Sequence, residues 1–412
     1  MLNILFVNHF PLDTASFYRH IGLGKELTKK GHKVTILMRS NPYYEYRSNF
    51  HSGVTKSQEY VKPREIEGVK IVYWREPFSF LSILNSFQVL KYSATADVIH
   101  LNRAYPFSAI PTFLANVLSR KPLVVDLEDW DGIGGWASMS RKKLLAKLTM
   151  TAFEETIPRK GDAIITVSKI LYRRVINMGV PEDRVFYIPN GVDTNLFNPT
   201  IDGSNVRNYF NLSSDPVIVA IGVLYMHEFV NYEIMIKAMK IVVKEIPKAK
   251  LLLIGWGPAM KNVKELVEKL NLKDNVILVG ERMGIIPRKD VPSYIAAADV
   301  AVHILHSHYM YYHACSPKTL SEFMAMGKTI IASDIGEVHE ALKDRSGALV
   351  RGEEPKNYAD AIIEILSNPK LCKKLGKTAR EKAVRHYAFD VQVDKLEKVY
   401  EKAIKHHKGM KR

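Results

Sequence analysis

The chain has 412 residues, of which 47% are hydrophobic and 25% are charged. These values are typical of globular proteins and exclude a disordered, collagen-like or coiled-coil chain, and the length predicts two or three domains. The 59 Lys and Arg residues outnumber the 43 Asp and Glu residues, giving a net charge of +16. This charge suits either an anionic partner or merely a Lys-rich surface of the thermophile type.

The N-terminal half alternates strands and helices. Its first strand, Asn3 to Val7, follows no basic leader, so we interpret the N-terminus as a strand rather than a signal peptide. A helix is expected from about Thr14 to Lys30, ending at Gly31 in a left-handed C-cap. Further strands are predicted at 33–38, 69–74, 98–101, 123–127 and 163–167. Apolar runs without alternation are typical of strands buried on both faces of a parallel sheet, which predicts a doubly wound α/β domain.

The same pattern restarts after Pro199. The stretch from Asp202 to Asp215 is rich in turn-forming residues and is predicted to be a linker. New strands are expected at 216–222, 250–254, 276–279, 300–304 and 329–332. A helix with the 3.6-residue period is expected before Pro247, and the last stretch, Phe389 to Arg412, reads as a basic amphipathic helix.

The predicted fold class is therefore α/β, with two doubly wound Rossmann-like domains facing across a cleft. We expect the N-terminal domain at 1–199 and the C-terminal domain at 200–388, with the last helix, about 389–412, packing back on the N-terminal domain. Ligands of open α/β sheets bind at the carboxyl ends of the strands. No apolar run approaches the roughly 20 residues needed to span a bilayer. Cys315 and Cys372 lie in no metal-binding or redox spacing, which predicts reduced thiols in the cytoplasm.

Four stretches in chain order carry a family resemblance. They are Gly31–Leu37, the run DAIITVS ending at Ser168, Ile188–Asp193 and Ser316–Glu340. Together they resemble glycosyltransferase family 4, the retaining group 1 glycosyltransferases of the GT-B fold. The resemblance implies an N-terminal acceptor-binding domain and a C-terminal domain for the nucleotide-sugar donor. It further implies hexosyl transfer from a nucleotide-diphosphate sugar to a hydroxyl of a glycan, glycolipid or polysaccharide, in cell-envelope glycan synthesis and without a metal or other cofactor.

The donor site is expected where Ser316 and Pro317 precede a helix that begins near Lys318. Ser is a favoured N-cap, Pro fits the first turn, and the free N–H groups of a helix start attract a diphosphate. Lys318 adds a formal positive charge. The resemblance makes Glu322 the second glutamate of the E-x7-E motif, which accepts hydrogen bonds from ribose hydroxyls. The predicted donor-binding residues are Ser316, Pro317, Lys318, Thr319, Glu322, Gly255, Arg282, Met283 and Arg19.

Three positions depart from the family pattern. Ala314 replaces the first glutamate of E-x7-E, and Val223 and Val230 stand where the family often carries Arg and Lys. Lys318, Arg282 and His227 are candidates for compensating charge. The departures leave a second interpretation open, in which the chain is a degenerate, non-catalytic member that binds a nucleotide or a glycan.

Two further donor positions lie in loops of the second domain. Gly255 lies in a Gly-Trp-Gly-Pro turn that either admits a ligand to the backbone or simply joins a strand to a helix. Arg282 and Met283 lie where family members seat the nucleotide base.

The predicted catalytic residues are Glu128, Asp129 and His9, which follow strands at their carboxyl ends. The acid pair stands where the family carries an active-site His, and either orients an acceptor hydroxyl or positions the donor sugar; the alternative is two solvated loop acids. His9 is either catalytic or structural. Arg19 is expected to meet an anionic acceptor or a donor phosphate unless it is solvated. Asp129 and Asp131 spell D-x-D, a metal signature in single-domain glycosyltransferases, but no metal is expected here.

Like the family, the chain shows no evident enzymic nucleophile. The resemblance therefore implies front-face attack by the acceptor, with the departing diphosphate assisting deprotonation. Catalysis would then depend on stabilising the leaving group and on positioning the two substrates.

Two segments predict peripheral contact with an anionic membrane at its inner face and a lipid-linked acceptor. Ser138–Met150 is basic and amphipathic, and Phe78–Leu90 is unusually apolar. Four tyrosines precede them: Tyr43, Tyr44, Tyr46 and Tyr60. The alternative is that both segments are core helices with solvated basic faces. No nucleic-acid partner is expected, because the chain carries no helix-turn-helix, RNA-binding or zinc signature.

Overall fold

The computed structural model describes residues 1–11, 14–39, 63–74, 80–140 and 142–410, without the side chains of 80–82. The chain forms two compact units. Unit 1 comprises Met1–Gly191, Ala314–Ser316 and Phe389–Arg412, and unit 2 comprises Val192–His313 and Pro317–Ala388. The first passage between the units falls at Gly191, ahead of the predicted boundary at Pro199. The four tyrosines at 43, 44, 46 and 60 lie outside the described residues.

Unit 1 contains, in its described part, a sheet of eight strands in the order β3-β4-β2-β1-β5-β6-β7-β8. Neighbouring strands are parallel except β3 and β4, which are antiparallel. The strands are β1 Asn3–Val7, β2 Lys33–Met38, β3 Arg64–Ile66, β4 Val69–Tyr73, β5 Val98–Asn102, β6 Leu123–Leu127, β7 Ala163–Thr166 and β8 Val185–Tyr187. Sequence analysis misses β3 and β8, because three-residue strands show no readable periodicity.

Helices join these strands. They are α1 Ala15–Lys29, α2 Ser86–Ser93, α3 Pro106–Ser119, α4 Trp136–Met139, α5 Leu144–Lys160 and α6 Lys169–Asn177. A 3₁₀ turn, Phe80–Asn85, leads into α2. The Thr14 hydroxyl caps α1 by accepting from the Phe17 N–H at 3.1 Å. Gly31 adopts φ 89° just after α1 ends, the left-handed conformation that its position predicts.

Unit 2 contains, among its described residues, a parallel sheet of six strands in the order β11-β10-β9-β12-β13-β14. The strands are β9 Val217–Ile221, β10 Lys250–Ile254, β11 Val276–Leu278, β12 Val300–His303, β13 Thr329–Ser333 and β14 Ala348–Val350. The helices are α7 Ser204–Tyr209, α8 Phe229–Glu245, α9 Met260–Lys269, α10 Val279–Met283, α11 Val291–Ala296, α12 Met310–Ala314, α13 Lys318–Ala325, α14 Gly336–Leu342, α15 Pro355–Ser367 and α16 Pro369–Lys382. The prediction of two doubly wound Rossmann-like domains is confirmed.

The predicted linker between Asp202 and Asp215 is instead part of unit 2. It contains α7, and its apolar residues Val206, Phe210 and Leu212 are buried in the core. The sequence pattern predicts a linker because the many turn-forming residues of this stretch obscure its three apolar positions.

The last helix, α17, spans Phe389–Gly409 and belongs to unit 1. It packs against α1, where a side chain at Gly22 would lie only 2.3 Å from the Phe389 ring. Its apolar stripe, which includes Val393 and Leu396, joins the core on one side of the sheet. Within the described part of the chain, no helix is both long enough and apolar enough to cross a bilayer.

Candidate active site

Polar side chains collect at the carboxyl ends of β1, β5 and β6 in unit 1, beside the first turns of α1. Parallel strands end at one edge of a sheet, so residues distant in sequence meet there. The residues, which we call the buried polar network, are all at most 5% exposed: Asn8, Ser16, Arg19, His20, His100, Asn102, Asp126, Glu128 and Tyr400. Buried polar groups require partners, and most of these side chains find them within the network or on the neighbouring backbone.

Arg19 and Asp126 form the ion pair at the centre of this network. The Arg19 Nε lies 3.0 Å from Asp126 Oδ2, and its Nη2 lies 3.4 Å from Oδ1. The guanidinium also donates to the carbonyls of Ile188 at 3.1 Å and Pro189 at 3.0 Å and to Asn190 Oδ1 at 3.2 Å. Arg19 is 1% exposed. In this structure all its donors serve the interior of unit 1, and a contact between Arg19 and a ligand stays a prediction.

Two histidines surround the Asp126 carboxylate. His100 Nδ1 lies 2.9 Å from the Tyr400 hydroxyl, and its Nε2 lies 3.3 Å from Asp126 Oδ2. His20 Nε2 lies 3.9 Å from Asp126 Oδ2 and 3.7 Å from Glu128 Oε1. Burial lowers the pKa of both imidazoles, which are therefore neutral at pH 7.

These ligand atoms also have a spacing that a metal ion could use. One atom each from His20, His100 and Asp126 lies within 4.8 Å of the others. Because the Arg19 guanidinium already binds both Asp126 oxygens and Tyr400 binds His100, we interpret the group as a hydrogen-bonded network.

The two buried acids differ in protonation. Burial would raise the pKa of Asp126, but Arg19 and His100 outweigh it and hold that pKa well below its usual value. Burial, reinforced by the negative charge of Asp126, raises the pKa of Glu128 to about 7. Glu128 Oε1 accepts from Asn102 Nδ2 at 2.6 Å, and its Oε2 accepts from the Ser16 hydroxyl. Two carboxyls with pKa values pushed apart are the usual basis for separate acid and base roles.

The Asp129 side chain lies in a more exposed environment than that of Glu128. Its side chain is 18% exposed, and Oδ2 lies 2.9 Å from Arg103 Nη1. The same arginine binds Asp131 through Nε at 2.7 Å. The acids of the D-x-D spelling therefore hold Arg103, and Asp129 is the more accessible of the two predicted catalytic acids.

The glycine-rich loop after Asp129 is fixed by α5. Glu154 of that helix accepts from the N–H of Asp131 at 2.7 Å and from the N–H of Gly132 at 3.0 Å. Trp130 of the loop lies under the Arg174 guanidinium, whose central carbon is 4.1 Å from the ring centroid. The loop that follows Glu128 is therefore positioned by side chains of two helices.

His9 follows β1 at the same sheet edge. Its ring stacks on that of Tyr105, with a centroid separation of 4.2 Å, and is 7% exposed. Burial lowers its pKa well below the usual value, and the positive charge of Arg103 lowers it further. His9 is thus a neutral imidazole in an aromatic stack.

The motif at Ile188–Asp193 connects the network to Ser316. The Asn190 N–H donates to Ser316 Oγ at 3.1 Å, and Asn190 Nδ2 donates to the Ser316 carbonyl at 2.7 Å. Ser316 is therefore not the N-cap of α13. Pro317 occupies that position in an extended conformation without a side-chain cap bond.

Ala314, where the family carries the first glutamate, packs in an apolar cluster with Val167 and Leu171 and is fully buried. A carboxylate at this position would lie among apolar side chains.

In unit 2, the start of α13 carries Pro317, Lys318 and Thr319, which are half-buried. Glu322, one turn into the helix, is 3% exposed, and its Oε1 accepts from Arg288 Nη2 at 2.7 Å. Sequence analysis missed Arg288. It lies six residues after Arg282, and only a three-dimensional structure tells which arginine reaches the glutamate.

Arg282 and Met283 end the short helix α10 and are exposed. The Arg282 guanidinium carbon lies 6.0 Å from the centroid of the Phe210 ring. The structure brings Arg288, and not Arg282, to Glu322.

Gly255 ends β10 where the backbones of neighbouring strands converge. A Cβ at Gly255 would lie 1.9 Å from the Gly222 carbonyl oxygen, and one at Gly280 would lie 1.8 Å from the Gly255 oxygen. This close approach is sufficient to explain the glycine as a strand–helix turn, the second of its two interpretations.

Two family descriptions match consecutive parts of the chain. Residues 21–196 match the description "Glycosyltransferase Family 4", and residues 206–382 match "Glycosyl transferases group 1". The chain belongs to this glycosyltransferase family. The first match lies in unit 1 apart from its last five residues, 192–196, and the second lies in unit 2 apart from residues 314–316.

Curated relatives of this glycosyltransferase agree with the assignment. It is 21% identical over 395 residues to the N-acetyl-alpha-D-glucosaminyl L-malate synthase of Bacillus anthracis, covering 94% of each chain. It is 23% identical over 247 residues to the GDP-mannose-dependent alpha-(1-6)-phosphatidylinositol monomannoside mannosyltransferase of Mycolicibacterium smegmatis, covering 57% of this chain and 59% of that protein.

Solved structures share the fold. HepE of Anabaena, crystallised with UDP and glucose, has a TM-score of 0.74 at 17% identity and covers 97% of this glycosyltransferase and 99% of its own chain. The sucrose-phosphate synthase of Thermosynechococcus elongatus has a TM-score of 0.71 at 19% identity, with 97% and 98% covered.

Two further residues of the buried polar network, His100 and Asp126, were not predicted from the sequence, although their positions in the strands carry a signal. His100 and Asp126 are single ionisable residues inside otherwise apolar strand runs, β5 and β6. Such residues are rarely buried without a partner, so their presence in a buried strand is itself a prediction of a polar network.

Proposed function

We propose that this glycosyltransferase is a retaining hexosyltransferase that uses a nucleotide-diphosphate sugar and a hydroxyl acceptor on a glycan, glycolipid or polysaccharide. The observation that carries the proposal is the start of α13, where Lys318 lies one turn before the buried Glu322. The names of two matched proteins support a nucleotide-sugar donor: the Mycolicibacterium enzyme is named for GDP-mannose, and the HepE structure contains UDP and glucose.

Unit 2 would bind the donor. The free N–H groups of α13 favour a diphosphate, and Lys318 adds a positive charge at the same place. Glu322 would accept a hydrogen bond from a ribose hydroxyl while Arg288, 2.7 Å from its Oε1, holds the carboxylate in place. Val223 and Val230 supply no cation. Lys318 would therefore balance most of the negative charge on the departing diphosphate.

Unit 1 would bind the acceptor. As the sugar's anomeric carbon leaves the diphosphate oxygen, the acceptor oxygen forms its bond to that carbon from the same face. The acceptor proton passes to an oxygen of the departing diphosphate. Asp129 would orient the acceptor hydroxyl, and Glu128 would hold the loop geometry by accepting hydrogen bonds from Asn102 and Ser16.

We propose that the reaction needs no metal, because positive charge at Lys318 and the start of α13 would take that role. Activity that survives an excess of EDTA over any divalent metal in the assay would agree. Loss of activity that Mg²⁺ or Mn²⁺ restores would contradict it.

We also propose a cytoplasmic location, which suits the two free cysteines, Cys315 and Cys372.

A donor screen tests the proposal. UDP, GDP, ADP and their common sugar conjugates are added to the protein, and the melting temperature is measured; a ligand that binds the folded state raises it. We expect one nucleotide to give a shift that Glu322→Ala abolishes. The control Glu364→Ala changes an exposed glutamate of α15 and should leave the shift intact. NMR of the product linkage then decides between retention and inversion.

The second candidate is a non-catalytic nucleotide- or glycan-binding protein, which Ala314, Val223 and Val230 favour. A thermal shift without hydrolysis or transfer from any sugar nucleotide would establish it. No shift with any nucleotide would contradict the donor site itself.

A further inference from the structure

Exposed apolar side chains of unit 1 concentrate on three neighbouring helices. The helix α3 packs against both α2 and α5. The largest exposures on them lie between 50% and 76%, at Phe87, Val117, Leu118, Leu144, Leu145 and Leu148. We call these six side chains the apolar face. Large exposed apolar side chains that concentrate on packed neighbouring helices favour an interaction site.

The composition of α3 is the clearest sign that this face is not ordinary surface. Its sequence from Pro106 to Ser119 contains no charged residue. One side buries Ala109 and Ala115 in the core, yet Val117 and Leu118 are 68% and 71% exposed. The helix packs against α2, α5 and β5, yet its solvent-facing positions are apolar where charged or polar side chains are usual on a surface helix.

The charges adjacent in sequence to the six apolar side chains have one sign. Segments 83–93, 106–121 and 142–149 contain no Asp or Glu. Their cations are Lys91, Arg120, Lys121, Lys142, Lys143 and Lys147. Protein interfaces are depleted in Lys, whereas Lys and Arg around an apolar helix face favour anionic lipid headgroups.

We propose that the apolar face docks unit 1 on an anionic lipid bilayer, with its leucines and Phe87 at the boundary between headgroups and acyl chains. The flanking cations would bind the headgroups. The surface includes parts of both segments singled out in the sequence, and α3 adds the region between them.

The docking surface and the acceptor loop share the helix α5. Leu144 and Leu145 begin this helix, and Glu154, ten residues further and about 15 Å along the axis, holds the N–H groups of Asp131 and Gly132. A docked α5 would therefore set the loop after Glu128 at a short distance from the bilayer. That the acceptor is itself carried by the membrane rests on the proposed function; the docking does not.

Vesicle flotation with the full chain tests the proposal. Vesicles of phosphatidylcholine alone are compared with vesicles in which about a third of the lipid is phosphatidylglycerol, at low and at high salt. We expect binding to the anionic vesicles, weakened by salt. Leu118→Glu combined with Leu145→Glu should reduce binding at least tenfold, and so should Lys143→Glu combined with Lys147→Glu.

A matched pair of lysines on unit 2 distinguishes an effect of the docking surface from an effect of net charge. Lys370 and Lys374 have the same four-residue spacing and are exposed on α16 of unit 2. Lys370→Glu combined with Lys374→Glu changes the net charge equally and should leave vesicle binding unchanged. An equal loss in both charge variants would overturn the proposal, as would absence of binding to anionic vesicles.

Two further readouts keep the result interpretable. Sedimentation velocity tests whether the face instead joins two copies of the chain; a wild-type dimer that Leu118→Glu with Leu145→Glu dissociates, without vesicle binding, would overturn membrane docking. The nucleotide thermal shift must persist in every variant as a check of folding. Because that shift reports on unit 2, its failure in the wild type would count against the proposed donor site and not against docking.

Discussion

The two units use the same sheet edge in different ways. At the carboxyl ends of its strands, unit 1 buries an arginine, two histidines and two carboxyls in one network. At the corresponding edge, unit 2 brings backbone to backbone at Gly222, Gly255 and Gly280 and pairs Arg288 with Glu322. The sheet edge of unit 1 fixes charged side chains inside the protein. The sheet edge of unit 2 packs backbone against backbone, and its charged pair lies near the start of a helix.

This difference assigns different tasks to similar folds. Fixed internal charges hold loops in one conformation, as Arg19 does by binding the carbonyls of Ile188 and Pro189. A helix start with Lys318 in its first turn places a positive charge beside the N–H end of the helix, a combination that attracts anions. Stability should therefore be more sensitive to the charged residues of unit 1, and ligand binding more sensitive to those of unit 2.

The largest effect is expected for Arg19→Met. Removing the guanidinium leaves the Asp126 carboxylate buried without its ion-pair partner, which typically costs about 3–5 kcal/mol. Urea unfolding should show this loss in the tryptophan fluorescence of Trp74, Trp130 and Trp136, three of the four tryptophans and all in unit 1. Lys237→Met is the control, because Lys237 is 48% exposed in its ion pair with Glu233 and such pairs contribute less than about 1 kcal/mol. Equal losses in both variants would contradict the central role of Arg19.

The next effect concerns the backbone contacts of unit 2. Gly255→Ala would place a Cβ 1.9 Å from the Gly222 oxygen, and because that atom is backbone, relief requires β9 and β10 to separate. We expect a loss of about 3 kcal/mol in the free energy of unfolding, at the upper end for overpacking. Gly409→Ala, which meets nothing within 4 Å, should be neutral or slightly stabilising. A neutral Gly255→Ala would show that the glycine is not required by packing.

The fold was largely predictable, because buried parallel strands such as Leu123–Leu127 and Lys250–Ile254 have apolar runs with clear ends. The short edge strands could not be predicted, because three residues are too few to show a hydrophobic periodicity. The candidate site was predictable only in part. The sequence places Glu128 after a strand and Glu322 one turn into a helix, but only folding brings Tyr400 to His100 in unit 1 and Arg288 to Glu322 in unit 2.

A pH dependence distinguishes Glu128 from ordinary surface acids. Its pKa rises from 4.5 in the unfolded chain to about 7 in the fold, so the folded state binds more protons between these values. The free energy of unfolding should therefore fall as pH rises from 4.5 to 7, and Glu128→Gln should remove that contribution. We expect the variant to match the wild type at pH 5 and to be about 2–3 kcal/mol more stable at pH 8.

The background titrations do not obscure this comparison. His9 and His20 have lowered pKa values and contribute the opposite slope, with stability rising as pH increases toward their unfolded value of 6.5. His9 and Glu154, whose pKa burial also raises to about 7, are present in both proteins, so the difference between wild type and Glu128→Gln reports on Glu128 together with its contact to His20. A difference that is the same at pH 5 and pH 8 would mean that Glu128 titrates as an exposed acid.

The smallest expected effect tests the ligand side of the comparison. Lys318→Met should weaken binding of the nucleoside diphosphate identified in the donor screen about tenfold, or about 1.4 kcal/mol, because it removes one charge from the phosphate site. Binding of the corresponding nucleoside, measured by calorimetry, should not change, since it carries no phosphate. Lys343→Met, on the exposed end of α14, is the control for net charge. If nucleoside and diphosphate weaken equally, Lys318 supports the shape of the site and not its charge, and the contrast between the two sheet edges would have to be drawn from Arg288 and Glu322 alone.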